Sequence, residues 1–187
     1  FKKENKNESK NFEIIFTGNI KRFNDDRGLK FIINSFLNEK MPEKFKLKII
    51  GWPLEQINEL RELVRKLKMD SRISIVDKLD RESTISNIQN ADIGLLINSS
   101  SDKHSLMHTS PLKYFEYLYA GLNIVAVDFP SHRALPFSEN ISFFHENNEE
   151  EFIQALFESL SKDSIQKDQL KIITLEERVN KLLLFIK

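Results

Sequence analysis

Ile93-Gly94-Leu95-Leu96-Ile97 is an uninterrupted apolar run with no polar alternation. Such a strand is buried on both faces, as strands are in parallel sheets covered by helices on either side. The chain beyond it agrees: a polar stretch from Asn98 to His108, then Pro111, then an amphipathic segment closing at Ala120-Gly121, then a second apolar run from Asn123 to Val127. Proline suits the first turn of a helix and glycine the left-handed position just past its end, so 93–127 reads as strand, helix, strand. Outward from there the unit recurs. Phe12 to Thr17 predicts a strand ended by Gly18, and Leu29 to Leu37 a helix with Phe31, Ile32, Ile33, Phe36 and Leu37 on one stripe. Phe45 to Ile50 predicts a strand stopped by Gly51, and Pro53 opens a helix with Leu54, Ile57, Leu60, Leu63, Val64 and Leu67 at 3–4 spacing. Ile73 to Val76 and Ile141 to Phe144 are further strands; Ser83 to Asn90, Glu149 to Leu160 and Thr174 to Ile186 are helices. The expected class is α/β, a mostly parallel sheet between two helical layers.

Composition narrows the function. The 187 residues are 40% hydrophobic and 30% charged, enough for one substantial core. Lys and Arg together number 28, matching 28 Asp and Glu, which argues against a protein built to grip nucleic acid as a polyanion. With no cysteine there is no disulfide scaffold, zinc ribbon or thiol nucleophile. The apolar runs are far short of the ~20 residues that span a bilayer, and the opening Phe1-Lys2-Lys3-Glu4-Asn5-Lys6 is too charged for a secretory leader. The polar residues 1–11, beginning with Phe, are expected to be the remnant of a linker, with one domain over 12–187.

In a sheet of this kind, ligands sit outside the carboxyl ends of the strands. That directs attention to Gly18–Gly28, Gly51–Pro53, Val76–Leu79 and Asn98–Glu116. In the last of these, Thr109 or Ser110 suits the helix cap, and the first backbone N–H groups are left facing outward, a ready anion site. Lys113 lies in the first turn, where a cation opposes the helix dipole unless an anion is bound. Glu116 shares its side of the helix and could accept hydrogen bonds from a ribose diol; an exposed Lys–Glu pair is the plain alternative. Trp52 either lines the same cleft or covers the sheet edge. Asp92 reads as a structural turn residue. Asp25-Asp26 lacks companions for a metal site, and His104, His132 and His145 lack metal-ligand spacing. No Gly-x-Gly-x-x-Gly, Walker loop or serine nucleophile elbow is present.

Ser110-Pro111-Leu112-Lys113-Tyr114-Phe115-Glu116-Tyr117, followed by Ala120-Gly121 and the strand Asn123 to Val127, resembles the donor-site segment of group 1 glycosyltransferases, the large retaining GT-B family. Phe16-Thr17-Gly18-Asn19 with Arg27-Gly28-Leu29 is similar to that family's opening strand and helix start. Leu47 to Gly51, Ala91 to Leu96 and Thr174 to Arg178 resemble its second strand, its alanine-aspartate step and its closing helix. The resemblance implies a Rossmann-like three-layer sandwich, the C-terminal half of a GT-B fold, with an N-terminal acceptor domain absent from this chain.

It also implies roles. Glu116 matches the glutamate that contacts the donor ribose, and Arg27 the basic residue that neutralises the diphosphate. The family's other basic position is Asn19 here, beside Gly18, and Arg22 is a candidate substitute. Backbone groups around Thr109, Ser110 and Leu112 would hold the distal phosphate and sugar, with Lys113 adding charge, while the turn from Val76 to Leu79 would lie against the base. His108 stands where the family commonly carries a glutamate. The implied activity is retaining transfer from a UDP- or GDP-linked sugar to a glycan or lipid-linked acceptor, in surface polysaccharide synthesis. It would need no cofactor and no metal, and would take place in the cytoplasm at the inner face of a membrane, touched peripherally through the missing domain. A nucleotide-sugar epimerase-like enzyme and a non-catalytic module that has lost its donor site remain as alternatives. The loop Ser99 to His108 is expected to order on donor binding, and the isolated chain to bind nucleotide without transferring sugar.

Overall fold

The computed structural model describes residues 11–21, 27–101, 103–108, 112–163, 165 and 168–173. Six strands, β1 (Phe12–Asn19), β2 (Phe45–Trp52), β3 (Ile73–Asp77), β4 (Ile93–Leu96), β5 (Asn123–Val127) and β6 (Ile141–Phe144), form one sheet in the order β3-β2-β1-β4-β5-β6. Every neighbouring pair is parallel, so the sheet is all-parallel rather than mostly so. The order runs outward in one direction from β1 and in the other from β4, which makes the gap between their carboxyl ends the switch point of a doubly wound sheet.

Helices cover both faces because alternate strand residues feed two separate cores. One core takes Ile14 and Phe16 of β1, Leu47 and Ile49 of β2, and Leu95 of β4. Against it pack α1 (Leu29–Ser35), α2 (Leu54–Lys66) and α7 (Glu149–Ser161). The other takes Ile15, Ile50, Leu96, Ile124 and Ala126, covered by α3 (Arg81–Asn90) and α5 (Leu112–Ala120). Two shorter helices, α4 (Lys103–His108) and α6 (Pro130–Arg133), lie at the carboxyl edge and pack on each other.

Three boundaries differ from expectation for local reasons. α1 stops at Ser35 because Phe36 and Leu37 bond back to Ile33 and Asn34, tightening the chain into i→i−3 turns. α3 starts at Arg81, since Asp80 Oδ1 accepts from the Ser83 N–H at 2.8 Å and so caps the helix earlier than Ser83. The stretch from Asn98 to His108, expected to be all loop, contains α4. Asp92 is structural as anticipated: its Oδ2 accepts from the Glu13 N–H at 3.0 Å, closing the start of β1 against β4. The helix expected over 174–186 lies outside the described residues. No helix among the described residues is long and apolar enough to cross a membrane.

Candidate functional site at the strand switch point

The position of α5 begins with Gly94. A Cβ there would stand 2.3 Å from the Tyr117 ring, so only glycine lets Tyr117 lie flat on β4. The buried Tyr117 hydroxyl then accepts from the Thr17 N–H at 3.2 Å, pinning α5 across β1 as well. Burial pushes that phenol up to about 12, so it stays a neutral hydroxyl. With Tyr117 fixed, Lys113, one helical turn earlier, is carried to the gap where β1 and β4 part.

Lys113 is half-buried as a residue, but its Nζ is fully enclosed and has no hydrogen-bond partner among the described residues. The ammonium sits 3.8 Å from the centroid of the Phe16 ring, and a Cβ on Gly18 would lie 3.5 Å from it. Gly18 takes φ +123, in the region glycine favours, which keeps this end of β1 bare above the ammonium. Burial, then the neighbouring charge of Arg27, hold Lys113 well below the ordinary lysine range; Glu116 opposes them weakly. The surface Lys–Glu pair is therefore not what forms. A cation–π contact compensates only part of the cost of burying an ammonium.

Arg27 provides the second cation. It is 9% exposed and its backbone adopts φ 61, a costly left-handed conformation for a non-glycine residue. Its Nε donates to Asn98 Oδ1 at 2.8 Å, Nη2 donates to the same oxygen, and Nη1 donates to the Asn19 carbonyl at 2.9 Å. These three bonds go to two oxygens, the Asn98 amide and the Asn19 carbonyl, and together they fix the plane of the guanidinium. Asn19 serves the site through its backbone; its side chain accepts from the Lys21 N–H at 3.1 Å in a local turn.

Behind the two cations lies His132, with no exposed surface. Its ring stacks on Phe129 and its Nδ1 donates to the Val127 carbonyl at 2.8 Å, which assigns the proton to Nδ1 and leaves Nε2 an acceptor without a partner among the described residues. Burial lowers its basicity, and Lys113 and Arg27 lower it further. Sequence reasoning named Asn98 only as the start of the ligand-edge stretch and set His132 aside for want of metal-ligand spacing, giving neither a role. Asn98 offered one signal, its place directly after an apolar strand at the ligand edge; His132 offered none.

The other site candidates distribute unevenly. Glu116 is half-buried on α5, three residues after Lys113, and Leu112, 80% exposed, opens that helix at the carboxyl edge of the sheet. Val76 lies near the end of β3, packed partly against the second core. His108 ends α4, and nothing is described of its side chain. Arg22, Thr109 and Ser110, with Asp25 and Asp26, lie outside the described residues. No group of three His, Asp or Glu placed to hold a metal occurs among the described residues.

The sequence profile of the family "Glycosyl transferases group 1" matches residues 11–162. The chain belongs to that family. No curated protein matches this glycosyl transferase in sequence. Among solved structures it is similar to a glycosyltransferase from Rickettsia africae, with a TM-score of 0.62 at 16% identity over 82% of this chain and 38% of that one. WaaG, a glycosyltransferase involved in lipopolysaccharide biosynthesis, gives 0.58 at 15% identity over 83% of this chain and 39% of the other. The C-terminal domain of LpcC, a glycosyl transferase group 1 family protein from Francisella tularensis, gives 0.58 at 18% identity, covering 81% here and 76% there. This group 1 glycosyl transferase chain thus spans well under half of two of those proteins and most of the third, which is a C-terminal domain. Its all-parallel sheet is that of the C-terminal half of a GT-B fold, as the resemblance implied.

Proposed function

We propose that this chain is the donor-binding domain of a GT-B glycosyltransferase that takes a nucleotide-diphosphate sugar and transfers its glycosyl group, with retention, to a glycan or lipid-linked acceptor. The observation that carries the reading is the buried Lys113 ammonium, without a hydrogen-bond partner among the described residues, beside the immobilised Arg27 guanidinium at the switch point. A buried ammonium without a hydrogen-bond partner among the described residues, set beside a second cation, is costly unless an anion completes the site. The amino end of α5 adds its dipole at the same place.

Chemically, the arrangement suits a leaving group. As the bond from the anomeric carbon to the terminal phosphate oxygen breaks, the electron pair stays on that oxygen, and negative charge grows on the diphosphate. Arg27 and Lys113 are already positioned and desolvated, so they stabilise that charge with little reorganisation. Glu116 is the residue assigned to the ribose hydroxyls, each charge-assisted bond contributing roughly 1.5–3 kcal/mol. Acceptor recognition belongs to a partner domain in the longer protein. Lipopolysaccharide-type or other surface polysaccharide synthesis is the setting proposed for it, by analogy with WaaG.

The test is a calorimetric comparison of UDP, GDP and ADP with inorganic pyrophosphate, on the wild-type chain and on Glu116→Ala. The reading expects one nucleotide to bind, and the substitution to weaken it by about 1.5–3 kcal/mol while leaving pyrophosphate unaffected. It also expects no sugar transfer by this chain alone. An unchanged nucleotide affinity in Glu116→Ala would remove the ribose assignment, and transfer to an acceptor by this chain alone would contradict the division of labour.

A further inference from the structure

Trp52 is the chain's single tryptophan, and it stands at the carboxyl end of β2 with 42% of its surface exposed. A large aromatic side chain left open at a strand end asks for an explanation, because Ile50, two residues earlier on the same face, is buried in the core. Alternation settles which way it faces. Ile50 belongs to the core beneath α3 and α5, and Trp52, two residues on, shares its face. That is also the face carrying Lys113 and Glu116 on α5.

The register fixes how far Trp52 is from the cations. Asn19, whose carbonyl holds Arg27, pairs directly with Trp52 across β1 and β2, and Gly51 pairs with Asp77 of β3. Neighbouring strands are ~5 Å apart, so from the switch point to the ends of β2 and β3 is roughly 5–10 Å. That matches the reach of a nucleoside from its phosphates to its base. Lys78, just past β3, places its Nζ 5.4 Å from the centre of the indole. Together they offer an exposed indole with a donor-only cation over its ring, the counterpart of an aromatic plane that carries ring and carbonyl acceptors.

We propose that Trp52 is the stacking platform for the nucleobase of the donor, with Lys78 directed at an acceptor on the base edge. The inference rests on the donor-site reading above and adds the residue that separates a nucleotide from a bare diphosphate. The wider part of the site, at the ends of β2 and β3, then recognises the base, while the narrow switch point takes the phosphates.

The lone tryptophan makes the test direct. Fluorescence of the wild-type chain is titrated with UDP, GDP, ADP and inorganic pyrophosphate, and binding of the same four is measured calorimetrically on wild type, Trp52→Ala and Trp52→Phe. The expected result is emission quenched by the binding nucleotide and not by pyrophosphate. Trp52→Ala should weaken that nucleotide roughly 5- to 150-fold, Trp52→Phe should restore most of the loss, and neither should change pyrophosphate affinity. Nucleotide binding that is silent in fluorescence and equal in Trp52→Ala overturns the proposal and leaves the donor site standing. A loss in Trp52→Ala that is equal for pyrophosphate also overturns it, as a general structural effect. Binding of none of the four ligands overturns both the donor-site reading and this inference.

Discussion

Lys113 is the residue whose energetics and function pull in opposite directions. Its buried ammonium, without a hydrogen-bond partner among the described residues, destabilises the empty fold, so Lys113→Met should raise the unfolding free energy of the ligand-free chain by about 1–3 kcal/mol while removing anion binding, read by chemical denaturation and titration. The pH dependence has a definite sign. Because Lys113 is held below its ordinary range in the folded chain, the unfolded chain binds more protons between that lowered pKa and about 10.5. Stability of the empty wild type should therefore rise with pH across that window, relative to Lys113→Met. Anion affinity should fall across the same window, since a bound diphosphate needs the ammonium charged. An identical pH slope in wild type and variant would show that this lysine is ordinary. Asn98 allows a complementary test, because its neutral amide holds Arg27 without cancelling its charge. Asn98→Asp should keep the chain folded but weaken diphosphate binding, as an internal carboxylate competes for the guanidinium; unchanged binding would mean Arg27 does not face the ligand.

At the scale of elements, the placement of one helix decides the site. α5 approaches β4 closely because residue 94 is glycine, and it is fastened to β1 by the Tyr117–Thr17 bond. Gly94→Ala would drive a methyl into the Tyr117 ring, so a loss of about 1–3 kcal/mol in stability is expected, together with weaker nucleotide binding as Lys113 and Glu116 shift. Full stability in that variant would mean the helix does not lie as described. Helix α4 went unread for a related reason. Lys103-His104-Ser105-Leu106-Met107-His108 has two adjacent apolar residues and no 3–4 repeat, so nothing local marks it; its packing on α6 supplies the reason to form. The strands were legible almost to the residue, since continuous β-branched runs bounded by glycine have few other uses in a protein with helices between them. Side-chain direction was not. Lys113 and Glu116 at three-residue spacing fit an exposed pair equally well, and only the gap between β1 and β4, set by contacts far apart in sequence, turns the ammonium inward. His132 was illegible for the same cause, since its burial and its lone acceptor depend on strands and helices it does not touch in sequence.

For the molecule as a whole, the topology places every charged element of the site at one end of the sheet. The order β3-β2-β1-β4-β5-β6 opens a gap at β1 and β4, Arg27 and Lys113 fill it from two different helical layers, and the ends of β2 and β3 extend it sideways. A ligand bound there should stabilise the fold in proportion to its saturation, so the midpoint of thermal unfolding should climb with nucleotide concentration. The central claim, that the paired cations are built for a diphosphate, is tested most directly by calorimetric titration of UDP, GDP and ADP into the wild-type chain and into Lys113→Met. The account predicts saturable binding of at least one of them to the wild type, weakened by about 1–3 kcal/mol or more in the variant. Equal affinity in the two proteins, or no binding by the wild type, would contradict it.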